Sequence, residues 1–331
     1  MVIAYIKEGK SAKKFFPGIE IQGWGNNYVI TVFNKEKNRV KKRLVKYIRK
    51  LKIEAIVFSK ELEGEFKEEI CDLLFVEEQD DKIKIKMING KKLMEYMQFD
   101  ILKYILDKQT CDMKQTDVYL ILKKEENLDL NFLKKFIENF RMTNIVTNDM
   151  QRLKNVQENL LENEGILIAV SNNKKKALKR AKYIINVNLN KEKLEKYNIN
   201  REAIIINAKE NVKYDAPCFA GINVNYFNIQ LPDEYMETFD ELQGDFDLVK
   251  LYESILLSDN FHKRKIEDIE ERIDRDEVKV EKLIGNNGII GEKEFCTHIK
   301  WKDKCNFVFT KNLHSKTWQI AKISLIYIML F

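Results

Sequence analysis

The sequence predicts an α/β protein of two α/β domains, the second a doubly wound parallel sheet, with C-terminal helices. Three observations carry this. Residues 117–209 hold five apolar runs, Val118 to Leu122, Asn144 to Thr147, Ile166 to Val170, Tyr183 to Val187 and Ala203 to Asn207, separated by helix-period segments. Continuous apolar strands alternating with helices are what a parallel sheet covered on both faces requires. Residues 1–110 repeat the alternation, and 331 residues exceed what one small core organises.

In the first domain the strand candidates are Val2 to Ile6, Tyr28 to Phe33, Ala55 to Phe58 and Ile83 to Met87. A helix over Lys37 to Leu51 places Val40, Leu44, Tyr47, Ile48 and Leu51 on one stripe, and one over Gly64 to Leu74 does the same with Phe66, Ile70, Leu73 and Leu74. Strand, helix, strand in that order favours parallel pairing. Gly23-Trp24-Gly25-Asn26-Asn27 reads as a turn with Trp24 packed over it. Residues 89–108 form a connecting helix whose stripe, Leu93, Met94, Met97, Ile101, Leu102, Tyr104, Ile105 and Leu106, is wide enough to be covered on more than one side.

The second domain spans residues 111–232. Leu130, Leu133, Phe136, Ile137 and Phe140 form its first helical stripe, and Leu153, Val156, Leu160 and Leu161 its second. Asn148 or Asp149 is placed to cap the second helix and Ser171 or Asn172 a third, with Lys174 to Lys176 at its start. Residues 233–295 read as a helical extension, with helices over Asp247 to Leu257 and His262 to Leu283 that the glycines 285, 288 and 291 bring to a stop. Residues 296–331 are a basic and apolar tail.

Composition bounds the function. The chain has 12 glycines and 3 prolines in 331 residues, well below the usual ~7% and ~5%, so no prolyl or glycine-rich linker marks a boundary. No run of 18 apolar residues is present and the amino terminus lacks a signal-peptide core, which gives the expectation of a cytoplasmic protein away from membranes. Five scattered cysteines suit reduced thiols. Of the net charge of +6, the tail with six lysines and one aspartate carries +5. The rest is nearly neutral, which argues against nucleic acid as a partner of the folded domains and leaves a protein partner or a homo-oligomer.

The ends of the strands in the second domain bring Lys123, Asn148, Asp149, Ser171, Asn172 and Asn186 to one edge of the sheet, where open α/β sheets bind ligands. The first turn of that edge, Lys123-Lys124-Glu125-Glu126-Asn127-Leu128, has no glycine. Side chains there block close approach of the backbone to a pyrophosphate, and two carboxylates repel it. The turn is expected to fill part of the crevice. Cys296, His298, Cys305 and His314 are zinc-type ligands but lack a Cys-x2-4-Cys hook, so no metal is expected. No nucleophile-elbow, phosphate-loop or zinc-protease motif is present.

Thr143 to Asn148, Ala177 to Asn186 and Ala203 to Asn207 resemble the NAD(P)-binding, Rossmann-like domain of the shikimate dehydrogenase type. Ala181-Lys182-Tyr183-Ile184-Ile185-Asn186 is similar to that family's Ala-Asp-x-Ile-Ile-Asn run, with Lys182 in place of the aspartate. The resemblance implies a two-domain dehydrogenase plan with NAD or NADP as cofactor. This chain departs from it at the glycine-rich turn and in lacking an Asn-Val-Thr-x-Pro-x-Lys segment, so no catalytic residue carries over. The expectation is a degenerate nucleotide-binding scaffold, non-enzymatic or regulatory, with no cofactor. Two alternatives stand beside it. One is an NAD(P)-dependent oxidoreductase with Lys123, Lys124 and Lys174 to Lys176 on the phosphates and Asp149 on the ribose; the other is nucleic-acid binding through the tail, where Trp301, Phe307, Phe309 and Trp318 alternate with lysines.

Overall fold

The computed structural model describes residues 1–10, 18–77, 85–123, 130–216, 219–259 and 265–295. The first sheet has the order β2 (Ile19–Trp24), β3 (Asn27–Val32), β1 (Ile3–Glu8), β4 (Ala55–Phe58) and β5 (Lys86–Ile88). β1, β3, β4 and β5 are parallel, whereas β2 pairs antiparallel with β3. The sequence reading took residues 23–27 as a turn between strands and missed β2. Ile19-Glu20-Ile21-Gln22 alternates over only four residues, and Gly25 at φ +57 closes a two-residue hairpin.

α1 (Asn38–Lys50) and α2 (Glu65–Glu77) cover one face of this sheet, with Val40, Leu44, Ile48, Phe66 and Ile70 on Ala4, Ile6, Ile30 and Ile56. The other face joins a larger core shared with the second sheet. The connecting helix lies in that core as two pieces, α3 (Lys91–Tyr96) and α4 (Gln98–Lys108), broken at Met97. Leu93, Met94, Met97, Ile101, Leu102 and Ile105 are fully buried, which is why their stripe is so wide.

The second sheet contains β6 (Asp117–Leu122), β7 (Met142–Thr147), β8 (Ala169–Ser171), β9 (Tyr183–Asn186), β10 (Ile204–Asn207) and β11 (Ile222–Val224). All pairs are parallel, in the order β8-β7-β6-β9-β10-β11. Counted from β6, this is 3-2-1-4-5-6, the doubly wound order, with the switch point between β6 and β9. α5 (Leu130–Asn139), α6 (Met150–Glu164) and the short α7 (Lys191–Leu194) form the crossovers. No helix follows β8. Asn173 Oδ1 accepts from both the Lys175 and Lys176 amides, 3.1 Å each, and a series of turns over 174–180 replaces the expected helix. Beyond Ala177 the Lys179 and Ala181 amides reach the carbonyls three residues back, at Lys176 and Leu178, so the run stays a series of turns in place of an i to i−4 ladder.

After β12 (Tyr226–Gln230) come α8 (Asp233–Thr238), α9 (Leu248–Ser258) and α10 (Ile266–Arg275). The helix expected to reach Leu283 ends at Arg275, and Glu277 at φ +50 turns the chain into β13 (Lys279–Gly285). β13 pairs antiparallel with β12 and with β14 (Gly288–Ile290). Val278, Val280 and Leu283 favour a strand, and Asn286-Asn287-Gly288 supplies its turn. The 233–295 segment is therefore helices plus a hairpin. No helix among the described residues is long and apolar enough to cross a membrane.

Candidate functional site

The C-terminal ends of β5 and of β10 and β11 meet at the junction of the two sheets, and three residues after β5 set its geometry. Gly90 holds φ +80, and a Cβ there would stand 2.0 Å from the Tyr226 hydroxyl. Its backbone directs Lys91 across the junction, where the ammonium donates to Asn211 Oδ1 at 2.6 Å and to the Asn225 carbonyl at 2.7 Å. Burial pushes Lys91 down to about 8, against the opposing pull of Glu210. The Tyr226 hydroxyl is buried next to Asp247 and Glu253 without a well-formed hydrogen bond.

Glu253, on α9 and 3% exposed, closes the start of α3 from the other side. It accepts from the Leu93 amide at 3.1 Å and from the amides of Lys92 and Asn89. Burial outweighs those bonds and lifts its carboxyl to about 7. Around this pair the seam is fastened by Lys7 to Asp245 at 2.8 Å, Lys250 to Glu63, and the Tyr5 and Ser254 hydroxyls at 2.8 Å.

The two shifts have opposite consequences for stability. Glu253 titrates near 7 when folded and near 4.5 when unfolded, so its contribution is full below pH 4.5 and is lost as pH rises through 7. Lys91 titrates near 8 when folded and 10.5 when unfolded, so its contribution is full above pH 10.5 and is lost as pH falls through 8. Glu253→Gln should remove a fall of roughly 2 kcal/mol in unfolding free energy between about pH 5 and 7.5. Urea midpoints measured across that range check it; a mutant profile parallel to the wild-type one would refute the assignment.

Along the second sheet the strand ends are tied by a row of asparagines. Asn186 Nδ2 donates to Asn207 Oδ1 and Asn207 Nδ2 to Asn225 Oδ1, both at 2.9 Å, and Asn225 Nδ2 donates to Asn286 Oδ1 at 2.6 Å. Asn186 also exchanges bonds with the Leu189 backbone, and Asn207 donates to the Val212 carbonyl. The side chain of Asn186, a sequence-predicted site residue, is thus fully engaged and 2% exposed.

The remaining predicted residues line the same edge without converging on it. Lys123 and Asn148 are exposed after β6 and β7, and Ser171 ends β8 at the sheet margin with Asn172 after it. Asp149 occupies the cap position of α6 with no side-chain cap bond, while its own amide donates to Thr147 Oγ1 at 3.1 Å. At the switch point the Lys123 amide, the first after β6, donates to Asn188 Oδ1 at 2.7 Å. Lys193 on α7 lies against the Lys123 ammonium, which holds its pKa below the ordinary lysine value. Of the turn at 123–128 expected to fill the crevice, residues 124–128 lie outside the described residues, as do Cys296, His298, Cys305 and His314. Among the described residues no group of three or more metal-type side chains is placed to hold an ion.

Sequence reasoning missed Lys91, Glu253, Tyr226, Asn207 and Asn225. The repeated ending Ile-Ile-Asn at 184–186 and 205–207, with Val224-Asn225 after it, was the signal for the asparagine row. Lys91 and Glu253 gave none, since their partners lie 134 and 160 residues away.

The architecture and this edge define a Rossmann-like α/β protein. No family model matches the chain and no curated protein matches it. Among solved structures it is similar to L-tryptophan dehydrogenase from Nostoc punctiforme, at 9% identity over 83% of this chain and 87% of that one, with a TM-score of 0.31. A likeness at that level carries no argument about activity.

Proposed function

We propose that this chain is a binding or regulatory protein on a Rossmann-like scaffold whose switch-point crevice has ceased to take a dinucleotide. The observation that supports this reading is the Lys123 amide bound by Asn188 Oδ1. In dinucleotide-binding sheets the amides that follow the first strand are left free for the pyrophosphate, and the crevice between the first and fourth strands is open to it. Here a side chain from the loop after β9 bridges that crevice and consumes the first of those amides. Calorimetric titration with NAD, NADH, NADP and NADPH should give no binding tighter than ~100 μM. Tighter binding of any of the four would overturn the proposal.

A second reading, an NAD(P)-dependent oxidoreductase of the shikimate dehydrogenase type, is favoured by the facing ammoniums of Lys123 and Lys193. Two like charges held together at a sheet edge are relieved by an anion between them. On this reading Lys123→Ala and Lys193→Ala each weaken cofactor binding, and a cofactor-dependent absorbance change accompanies turnover of a small hydroxy or amino acid.

A further inference from the structure

At the opposite edge of the second sheet, where its strands begin, a groove of about 620 Å³ opens between the residues after α4 and the starts of β6, β7 and β9. Its volume is that of a small-molecule site. Arg141, Arg180 and Lys182 line it together with Asp117, Tyr119 and Cys111. We propose that this groove binds a phosphate monoester of about mononucleotide size, independently of whether the crevice at the other edge takes a cofactor.

The cations are arranged for an oxyanion. Asp117 accepts from Arg141 Nε at 2.8 Å and from Nη2 at 2.7 Å, which fixes the plane of the guanidinium and leaves Nη1 without a partner among the described residues. An oriented guanidinium with a free donor edge matches phosphate geometry better than a mobile one. Arg180 and Lys182 are exposed on the same groove, and neither makes an ion pair among the described residues. Of the two carboxylates present, Asp117 is engaged by Arg141 and Asp112 accepts from the Lys114 amide at 2.9 Å. Three cations against two carboxylates leave the groove with a net positive charge, which favours an anion, and the unpaired Arg180 and Lys182 beside the free edge of Arg141 supply the donors a phosphate takes.

The rest of the groove is fixed and partly aromatic. The Tyr183 hydroxyl donates to Gln109 Oε1 at 2.6 Å, and Gln109 Nε2 donates to the Phe295 carbonyl at 3.1 Å, so the inner wall is tied to the C-terminal end of the described chain. Tyr119, half-buried, is the aromatic residue beside the cations of the groove, where the body of the ligand would lie. Inorganic phosphate would occupy a small part of such a volume, which is why an ester with an organic body is the better fit.

The test is calorimetric titration of the full chain at low salt with AMP, UMP, ribose 5-phosphate, inorganic phosphate and citrate. At least one of the three esters should bind with Kd below about 1 mM and at least tenfold tighter than inorganic phosphate. Arg180→Ala combined with Lys182→Ala should weaken that ester at least tenfold, while Lys123→Ala combined with Lys193→Ala should leave it unchanged. A saturating ester should also slow iodoacetamide labelling of Cys111, read by peptide mapping on the unsubstituted protein, so the proposal remains testable should the groove variant fail to fold. Failure of all three esters to bind, unaltered affinity in the groove variant, loss in the crevice variant, unprotected Cys111, or citrate outcompeting the esters would each overturn it.

Discussion

Gly90→Ala is expected to lower the unfolding free energy by about 4 kcal/mol, through two separable costs. An alanine at φ +80 loses roughly 1–2 kcal/mol against glycine, because its Cβ crowds the carbonyl. The larger part comes from packing: the new methyl would stand 2.0 Å from the Tyr226 hydroxyl and 2.7 Å from the ring carbon that bears it. Either the ring or the start of α3 must shift, and Lys91 and Leu93, which hold the junction to β11 and α9, shift with it. In a Tyr226→Ala background the same substitution should cost only the backbone part, so a double-mutant cycle on urea midpoints separates the two. A single-mutant loss under about 1 kcal/mol would mean that the junction yields more easily than its contacts imply.

Asn207→Ala should cost about 3 kcal/mol, more than any exposed asparagine of the same sheet edge. The residue is 0% exposed, and its removal leaves a cavity, an unpartnered Val212 carbonyl, and a bond missing from both Asn186 and Asn225. Buried polar groups stripped of a partner bear their full desolvation cost. Asn148→Ala, at the exposed end of β7, should stay within about 0.5 kcal/mol of wild type. Equal midpoints for the two variants would show that the row does not stabilise the sheet.

The elements that could be read from the chain were those whose pattern is local. Continuous runs such as Leu120 to Leu122 and Ile184 to Ile185 are buried on both faces, and their helices show the stripe that covers them. β11 is three residues between Gly221 and Asn225, too short for any period to register. β13 was hidden because Ile266, Ile269 and Ile273 carry a true helical stripe directly before it, and Val280 falls in step with that stripe by coincidence. The candidate site was legible as an edge but not as a constellation. Strand ends can be located from sequence, whereas the meeting of Lys91 with Asn225, or of Glu253 with Leu93, depends on how two sheets pack through a shared core.

The asparagine row has a direction. Each Nδ2 faces the next Oδ1, from β9 through β10 to Asn225 and the β13–β14 turn, so turning over either inner amide, Asn207 or Asn225, would set nitrogen against nitrogen on one side and oxygen against oxygen on the other. The orientation of one member is therefore inherited by all. The same row reads strand alignment, because sliding β10 by one residue would bring Ile206 or Ala208 into the place of Asn207 and break the sequence of donors in the middle. Short parallel strands such as Ile204 to Asn207, three isoleucines before the asparagine, offer little else to distinguish one alignment from the next. A polar chain with a single permitted sense selects the native one at the point where the apolar residues are interchangeable.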